Sequence, residues 1–211
     1  MFEGQFFPEF NENEHVCSER EIPKYLTRFC AVDYGFDMLA ALVIGVDTDG
    51  NCYVLREHCE PNLTLSQAAL RISDLCRGEC EYAVASPDLW NRRQDSGRSG
   101  FEIMQGVRGM PPMVAADDRR IAGWRIVREY LSGKPPSPML RISSSCKELI
   151  RSLPLLLCDT ARVEDAAGEP HSVTHAPEAL RYGLMSRYTT PKNEVCDFII
   201  PRKTRGVGMF E

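Results

Sequence analysis

Long hydrophobic runs are missing from this 211-residue chain: none approaches the ~20 residues that a membrane-crossing helix needs. The first residues are acidic and aromatic, so they do not read as a signal peptide. The nine cysteines include no Cys-x-x-Cys pair. Cys76 and Cys80 stand four apart, and no matching pair of Cys or His follows, which argues against a structural zinc site. An odd, scattered set of cysteines fits a reducing compartment where thiols serve as small hydrophobes. Basic excess is also missing. The net charge is −5, which argues mildly against tight autonomous DNA binding, although a bound cation would offset part of that acidity. There is no GxxxxGK[ST] phosphate loop: Gly133-Lys134-Pro135 lacks the upstream glycine and the strand–loop–helix setting. No internal repeat and no low-complexity tract is present.

What remains is an ordinary globular composition, 43% hydrophobic and 26% charged, which argues against disorder and leaves room for one large domain or two small ones. Residues 1–24 lack periodicity and read as an extended segment packed on a neighbour, or as a linker. Residues 28–57 read as a three-strand meander, with Asp49-Gly50 as its second turn. A helix follows to about Cys76, with Leu65, Ala68, Ala69, Ile72 and either Leu75 or Cys76 on one face, Thr64 or Ser66 as its cap and Gly78 beyond its end. A short strand, Tyr82-Ala83-Val84-Ala85, returns after it, so the pattern predicts a crossover and a mixed sheet. Ser99 is placed to cap a short helix to Gly106. Residues 111–116 read as a strand, and Asp117 or Asp118 as the start of a helix to about Leu131. Another short strand covers 139–142, and Ser144 or Ser145 is placed to cap a helix broken near Pro154. Residues 174–185 form the last helix, with Pro177 tolerated in its first turn.

Three acids sit at structural punctuation. Asp33 lies in the first strand of the meander, where a carboxylate is disfavoured and costly to bury unpaired. Asp88 follows the strand after the crossover helix. Glu178 lies in the first turn of the last helix. Strand ends and a helix start are places where side chains converge on one crevice. Clustered carboxylates repel unless cations sit among them, and two-metal phosphodiester cleavage uses such a cluster. Hard oxygen ligands suit Mg2+ or Mn2+. His175, three residues before Glu178, projects from the same helix face. Each acid also has a plain reading: a turn residue at Asp33, an Asx-turn or N-cap at Asp88, a dipole-favoured first-turn acid at Glu178.

Three motifs carry a resemblance. They are Phe29-Cys30-Ala31-Val32-Asp33-Tyr34-Gly35, Ala85-Ser86-Pro87-Asp88-Leu89-Trp90-Asn91-Arg92, and His171-Ser172-Val173-Thr174-His175-Ala176-Pro177-Glu178-Ala179-Leu180-Arg181-Tyr182. The chain resembles the C-terminal nuclease domain of the large terminase subunit of tailed bacteriophages and prophages. The last motif, similar to the family's His-Ala-x-Asp-Ala-Leu-Arg-Tyr, is the most specific. The resemblance implies an α/β, RNase H-like fold: a mixed central sheet, with a three-strand antiparallel meander and then parallel strands, flanked by helices. Residues 25–188 would be the nuclease domain, 1–24 an N-terminal extension and 189–211 a tail. It implies that Asp33, Asp88 and Glu178, assisted by His175, bind two divalent ions, Mg2+ or Mn2+, and cut double-stranded DNA during genome packaging. It also implies a packaging ATPase domain outside this chain, a small terminase subunit and a portal as partners, no membrane, and the cytoplasm of an infected or lysogenic bacterial host. Two positions depart from the family pattern: Glu178 stands where Asp is usual, and Ser86 stands where many relatives carry the middle acid. Asp88 is taken as that acid.

Lesser expectations concern the surroundings. Arg92, Arg93 and Arg98 are placed to contact DNA phosphates or to form a solvated loop. Glu57 and His58 are weighed as support for a metal shell. Asp37 reads as a turn residue, Tyr34 as packing, and Arg181 and Tyr182 as helix packing; Glu164, Asp165 and His171, just before the last helix, read as a segment that closes over the site or, more simply, as a surface loop. Two rivals stand beside the nuclease: a catalytically weak DNA-gripping and docking module, and another RNase H-like enzyme such as a junction resolvase.

Overall fold

The apolar run that ends at Asp33 is the middle of β2 (Thr27–Tyr34), and residues 29–32 are fully buried. Successive side chains on a strand face opposite sides. Phe29 and Ala31 accordingly enter one core cluster, and Cys30 and Val32 another on the far face. A strand covered on both sides reads as a continuous hydrophobic run rather than an alternation. This computed structural model describes residues 4–188 except 36, 93, 95, 96 and 135–138, so the expectations at Arg93 and over 189–211 lie outside the described residues.

β3 (Met38–Val46) pairs antiparallel with the whole of β2, and β4 (Cys52–Pro61) pairs antiparallel with β3. The turn between them is held by Asp47, whose carboxylate accepts from the Asp49 and Asn51 amides at 3.0 and 2.9 Å, while Gly50 takes φ +85°. Four strands add in parallel: β5 (Ala83–Ala85) beside β2, β6 (Met113–Ala115) beside β5, β7 (Leu140–Ser143) beside β4, and β1 (Val16–Cys17) beside β7. The sheet order is β1-β7-β4-β3-β2-β5-β6. This is the expected mixed sheet, an antiparallel meander followed by parallel strands.

Helices cover both faces. α2 (Leu65–Cys76) and α3 (Gly100–Gln105) lie on one side. α4 (Arg120–Ser132), α5 (Lys147–Leu155) and α6 (His175–Tyr188) lie on the other. α2 starts on a capping box between Thr64 and Gln67 and buries Leu65, Ala68, Ala69, Ile72 and Cys76, the stripe that its spacing predicts. α6 presses on β2 and β3 because Gly183 leaves room: a Cβ there would lie 2.6 Å from Ile44 Cδ1 and 2.9 Å from the Ala31 methyl. The N-terminal stretch is packed rather than free. Phe6 and Phe7 are fully buried with their edges against the Trp124 ring, and Asn11 caps α1 (Glu12–His15), the short turn that leads into β1. Cys17, Cys30, Cys52, Cys76 and Cys146 are free and buried. No helix among the described residues is long and apolar enough to cross a membrane.

Two helix starts differ from expectation. α4 begins at Arg120, not at Asp117 or Asp118; Asp117 instead holds the Arg119 guanidinium and backbone amide. α5 begins at Lys147, and its cap is not Ser144 or Ser145. The Glu57 carboxylate on β4 accepts from the Glu148 and Leu149 amides at 2.6 and 3.0 Å. Burial raises the Glu57 carboxyl above its ordinary value, against the pull of those two amides. Glu57 thus caps a helix from another element, and His58 turns to Glu60, 2.7 Å away. Glu57→Ala leaves two half-buried helix-start amides without an acceptor, which costs about 1–3 kcal/mol. Thermal melting should fall by roughly 2–4 °C per kcal/mol lost.

Candidate metal centre

Asp33 is the next-to-last residue of β2, so strand alternation puts it on the face of Phe29 and Ala31, beneath α6. His175 opens α6 directly above it. His175 Nδ1 lies 2.8 Å from Asp33 Oδ2, and His175 Nε2 lies 3.4 Å from Asp37 Oδ2. Asp33 and His175 are mostly buried, whereas Asp37 is exposed on the turn between β2 and β3. That turn is tight because residue 35 is glycine: a Cβ there would meet Asp37 Oδ1 at 2.9 Å and His175 Cε1 at 3.0 Å. His171 stacks on His175 one turn earlier. Asp37, His171 and His175 each offer one donor atom within 4.8 Å of the others.

Charges here reinforce each other. The hydrogen bond to Asp33 raises the His175 imidazole above its ordinary value; burial opposes this, and the Asp33 and Asp37 charges add to it. Burial works against the Asp37 carboxylate, but its own backbone amide and His175 outweigh that and hold it low. The stability that the protonated imidazole contributes is full below its unfolded value and is lost as pH rises through the higher folded one. Asp33→Asn should therefore move the His175 titration to lower pH, followed by the imidazole Hε1 resonance. An unmoved titration would show that Asp33 is not the cause.

The other two acids face different partners. Glu178, one turn along α6, has both oxygens taken: Oε1 accepts from Arg120 Nη1, and Oε2 accepts from Arg181 Nε at 2.7 Å. Arg120 reaches from α4 and is anchored by Asp165, with Nε 3.0 and 3.2 Å from the two carboxylate oxygens, and by the Ala166 carbonyl at 3.2 Å. Trp124 Nε1 donates to the same Asp165 at 2.9 Å. Arg181 is buried over the Trp124 and Tyr182 rings. Asp88 is exposed in the 3-10 turn Pro87–Trp90 just past β5 and accepts from the Ser86 hydroxyl. The Tyr182 phenol marks where the three motifs meet. Burial raises it, the Ser86 hydroxyl bonds to it and lowers it, Arg181 also lowers it, and the Asp33 and Glu178 charges raise it. Arg92 and Arg98 are exposed where the chain enters α3, and Arg98 Nη2 donates weakly to the Glu102 carbonyl at 3.4 Å.

A divalent cation fits part of this arrangement. Carboxylates and imidazoles converge at Asp33, Asp37, His171 and His175, a donor set suited to Mn2+ and similar ions. Glu178 has no free oxygen in the arrangement described.

Comparison with solved structures bears on the fold. Over 89% of this chain, the large terminase of a thermophilic bacteriophage superposes with a TM-score of 0.70 at 18% identity. The P22 large terminase nuclease domain superposes with a TM-score of 0.68 at 17% identity, over 88% of this chain and 93% of its own. The fold is that of the large-terminase nuclease domains. The nuclease domain of the bacteriophage SPP1 large terminase, with bound Mn, shares this RNase H-like fold at a TM-score of 0.57 and 15% identity, over 82% of this chain and 95% of its own. The chain spans about half the length of the thermophilic phage's large terminase, 46% of it. No protein-family model matches the sequence, and no curated protein does.

Within this terminase-nuclease fold, four residues at the site lie outside the Asp33, Asp88, Glu178 and His175 set that the sequence singles out. His171 and His175 are spaced i, i+4, a signal that was there to use for His171. Asp37 follows Asp33 by four residues across a glycine turn and reads equally well as a turn residue. Arg120 and Asp165 lie 58 and 13 residues from Glu178 in the chain, and nothing local links them to it.

Proposed function

We propose that this chain is the divalent-metal-dependent endonuclease domain of a phage DNA-packaging terminase, cutting concatemeric genome DNA. One observation carries the reading: Asp33 and His175, from motifs 142 residues apart, meet at 2.8 Å on a fold shared with large-terminase nuclease domains. Asp33, Asp88 and Glu178 are the proposed ligands of two divalent ions, Mg2+ or Mn2+, which when bound would activate water and stabilise the leaving oxygen of a phosphodiester. Asp33 orients the His175 ring, and His175 is the proposed proton carrier between the cleft and the Asp37 side. Arg92 and Arg98 are proposed phosphate contacts, as is Arg93, which lies outside the described residues. Such contacts position the duplex without reading its bases. The acidic balance and the lack of base-reading motifs favour low sequence specificity. An ATPase domain, a small terminase subunit and a portal are the proposed partners, in the cytoplasm of the bacterial host.

A second reading is favoured by one observation: two guanidinium groups already neutralise Glu178. On that reading the domain grips DNA and cuts weakly or not at all. Supercoiled plasmid incubated with the chain separates the two. Nicking in Mn2+ or Mg2+ that stops on chelation supports the nuclease. No nicking, together with no Mn2+ binding that depends on Asp33 and Asp88, supports the gripping module.

A further inference from the structure

The two halves of the acid cluster are not electrostatically equivalent. Around Asp33, two carboxylates face imidazoles, and negative charge remains to hold a dication. Around Glu178, the charges already cancel: two guanidinium groups, Arg120 and Arg181, meet two carboxylates, Glu178 and Asp165. Each Glu178 oxygen has its own donor. Arg181 is buried and stays with the core, but the Arg120 side chain is 39% exposed and holds Glu178 through Nη1 alone, so it can give up that contact while its Nε and Nη2 stay on Asp165 and the Ala166 carbonyl. Guanidinium also pairs bidentately with phosphate, so a DNA backbone is a competing acceptor for it.

We propose that Arg120 is an internal stand-in for one of the two divalent cations. In the resting chain it occupies the coordinating face of Glu178, so the site takes up one ion, beside Asp33, and accepts a second only after Arg120 releases Glu178. This deepens the metal-nuclease reading and rests on it. It also gives a reason for glutamate at position 178: the longer arm spans from α6 to the guanidinium on α4.

The test counts Mn2+ bound to the intact chain by calorimetry and by loss of the free-ion electron paramagnetic resonance signal. Wild type is expected to bind one ion and Arg120→Gln two, with circular dichroism confirming that both are folded. Glu178→Gln should leave the first ion's Kd within about twofold of wild type, because Glu178 is not a resting ligand. Should Arg120→Gln fail to fold, the wild-type count and the Glu178→Gln affinity still decide the matter. Two ions in wild type, one ion in a folded Arg120→Gln chain, or a first-ion affinity that collapses in Glu178→Gln overturns the role of Arg120 while leaving the nuclease reading intact. No Asp33-dependent uptake by wild type overturns that reading, and the proposal with it.

Discussion

Asp33→Asn should abolish nicking of supercoiled plasmid in Mn2+ while leaving the fold in place. A loss of at least about 100-fold is expected, the scale of removing a catalytic proton-transfer partner or one preorganised contact to the transition state. The substitution changes charge and little else. Asparagine has the shape of aspartate, and its amide oxygen can still accept from His175 Nδ1, 2.8 Å away. Residue 33 keeps its backbone pairing with Ala40, and its neighbours in β2 keep theirs along the rest of β3. Above the pH at which His175 gives up its proton, the melting temperature should therefore move little, so that lost cleavage reports chemistry and not unfolding. Equal nicking by wild type and by a folded Asp33→Asn chain would remove Asp33 from the mechanism and end the nuclease reading.

Glu178→Ala should act differently, on stability first. Arg181 is 1% exposed, and Glu178 is its partner at 2.7 Å. Breaking a buried ion pair from one side costs about 3–5 kcal/mol, because the remaining charge is left in a medium that does not solvate it. Arg120 contributes less to that loss, since its half-exposed side chain can rehydrate. With roughly 2–4 °C lost per kcal/mol in a chain of this size, the melting temperature should fall by on the order of 10 °C. The double variant Glu178→Ala, Arg181→Met should recover part of it, because an apolar side chain of similar reach replaces the orphaned charge. A melting curve unchanged by Glu178→Ala would show that the pair is not structural. Lost activity in Glu178→Ala is a poor witness for metal binding, and Glu178→Gln, which keeps one oxygen on Arg181, is the better variant.

Local signals made most of the architecture readable. The unbroken apolar run before Asp33 marks a strand buried on both faces, and the Asp-Gly turn closes the hairpin after it. The stripe from Leu65 to Cys76 marks one helix face, with its cap at Thr64. Failures occur where a distant element supplies what a local residue was expected to give. Ser144 and Ser145 look like caps for α5, but Glu57, 91 residues before Glu148, takes that role once β4 and α5 are side by side. The candidate site divides in the same way. Asp33 and His175 were legible from their motifs, and the fold brings them into contact. The charge state around Glu178 was not legible, because it depends on Arg120 and Asp165, and only tertiary packing places those two beside it. Residue identity at 178 says that an acid is present; it does not say what the acid is bound to.

The shielded thiols give the domain a built-in clock. Cys52 and Cys146 are pushed up to about 11 and about 12 by burial, so even a reagent that reached them would find almost no thiolate, the reactive form. They lie in separate elements, β4 and the start of α5, on the same core that holds Trp124 and α6. Their modification must wait for that core to open, whereas the partly exposed Cys158 at the surface need not. With a reagent that reacts faster than the core recloses, the interval between the two reactions is the lifetime of the packed state.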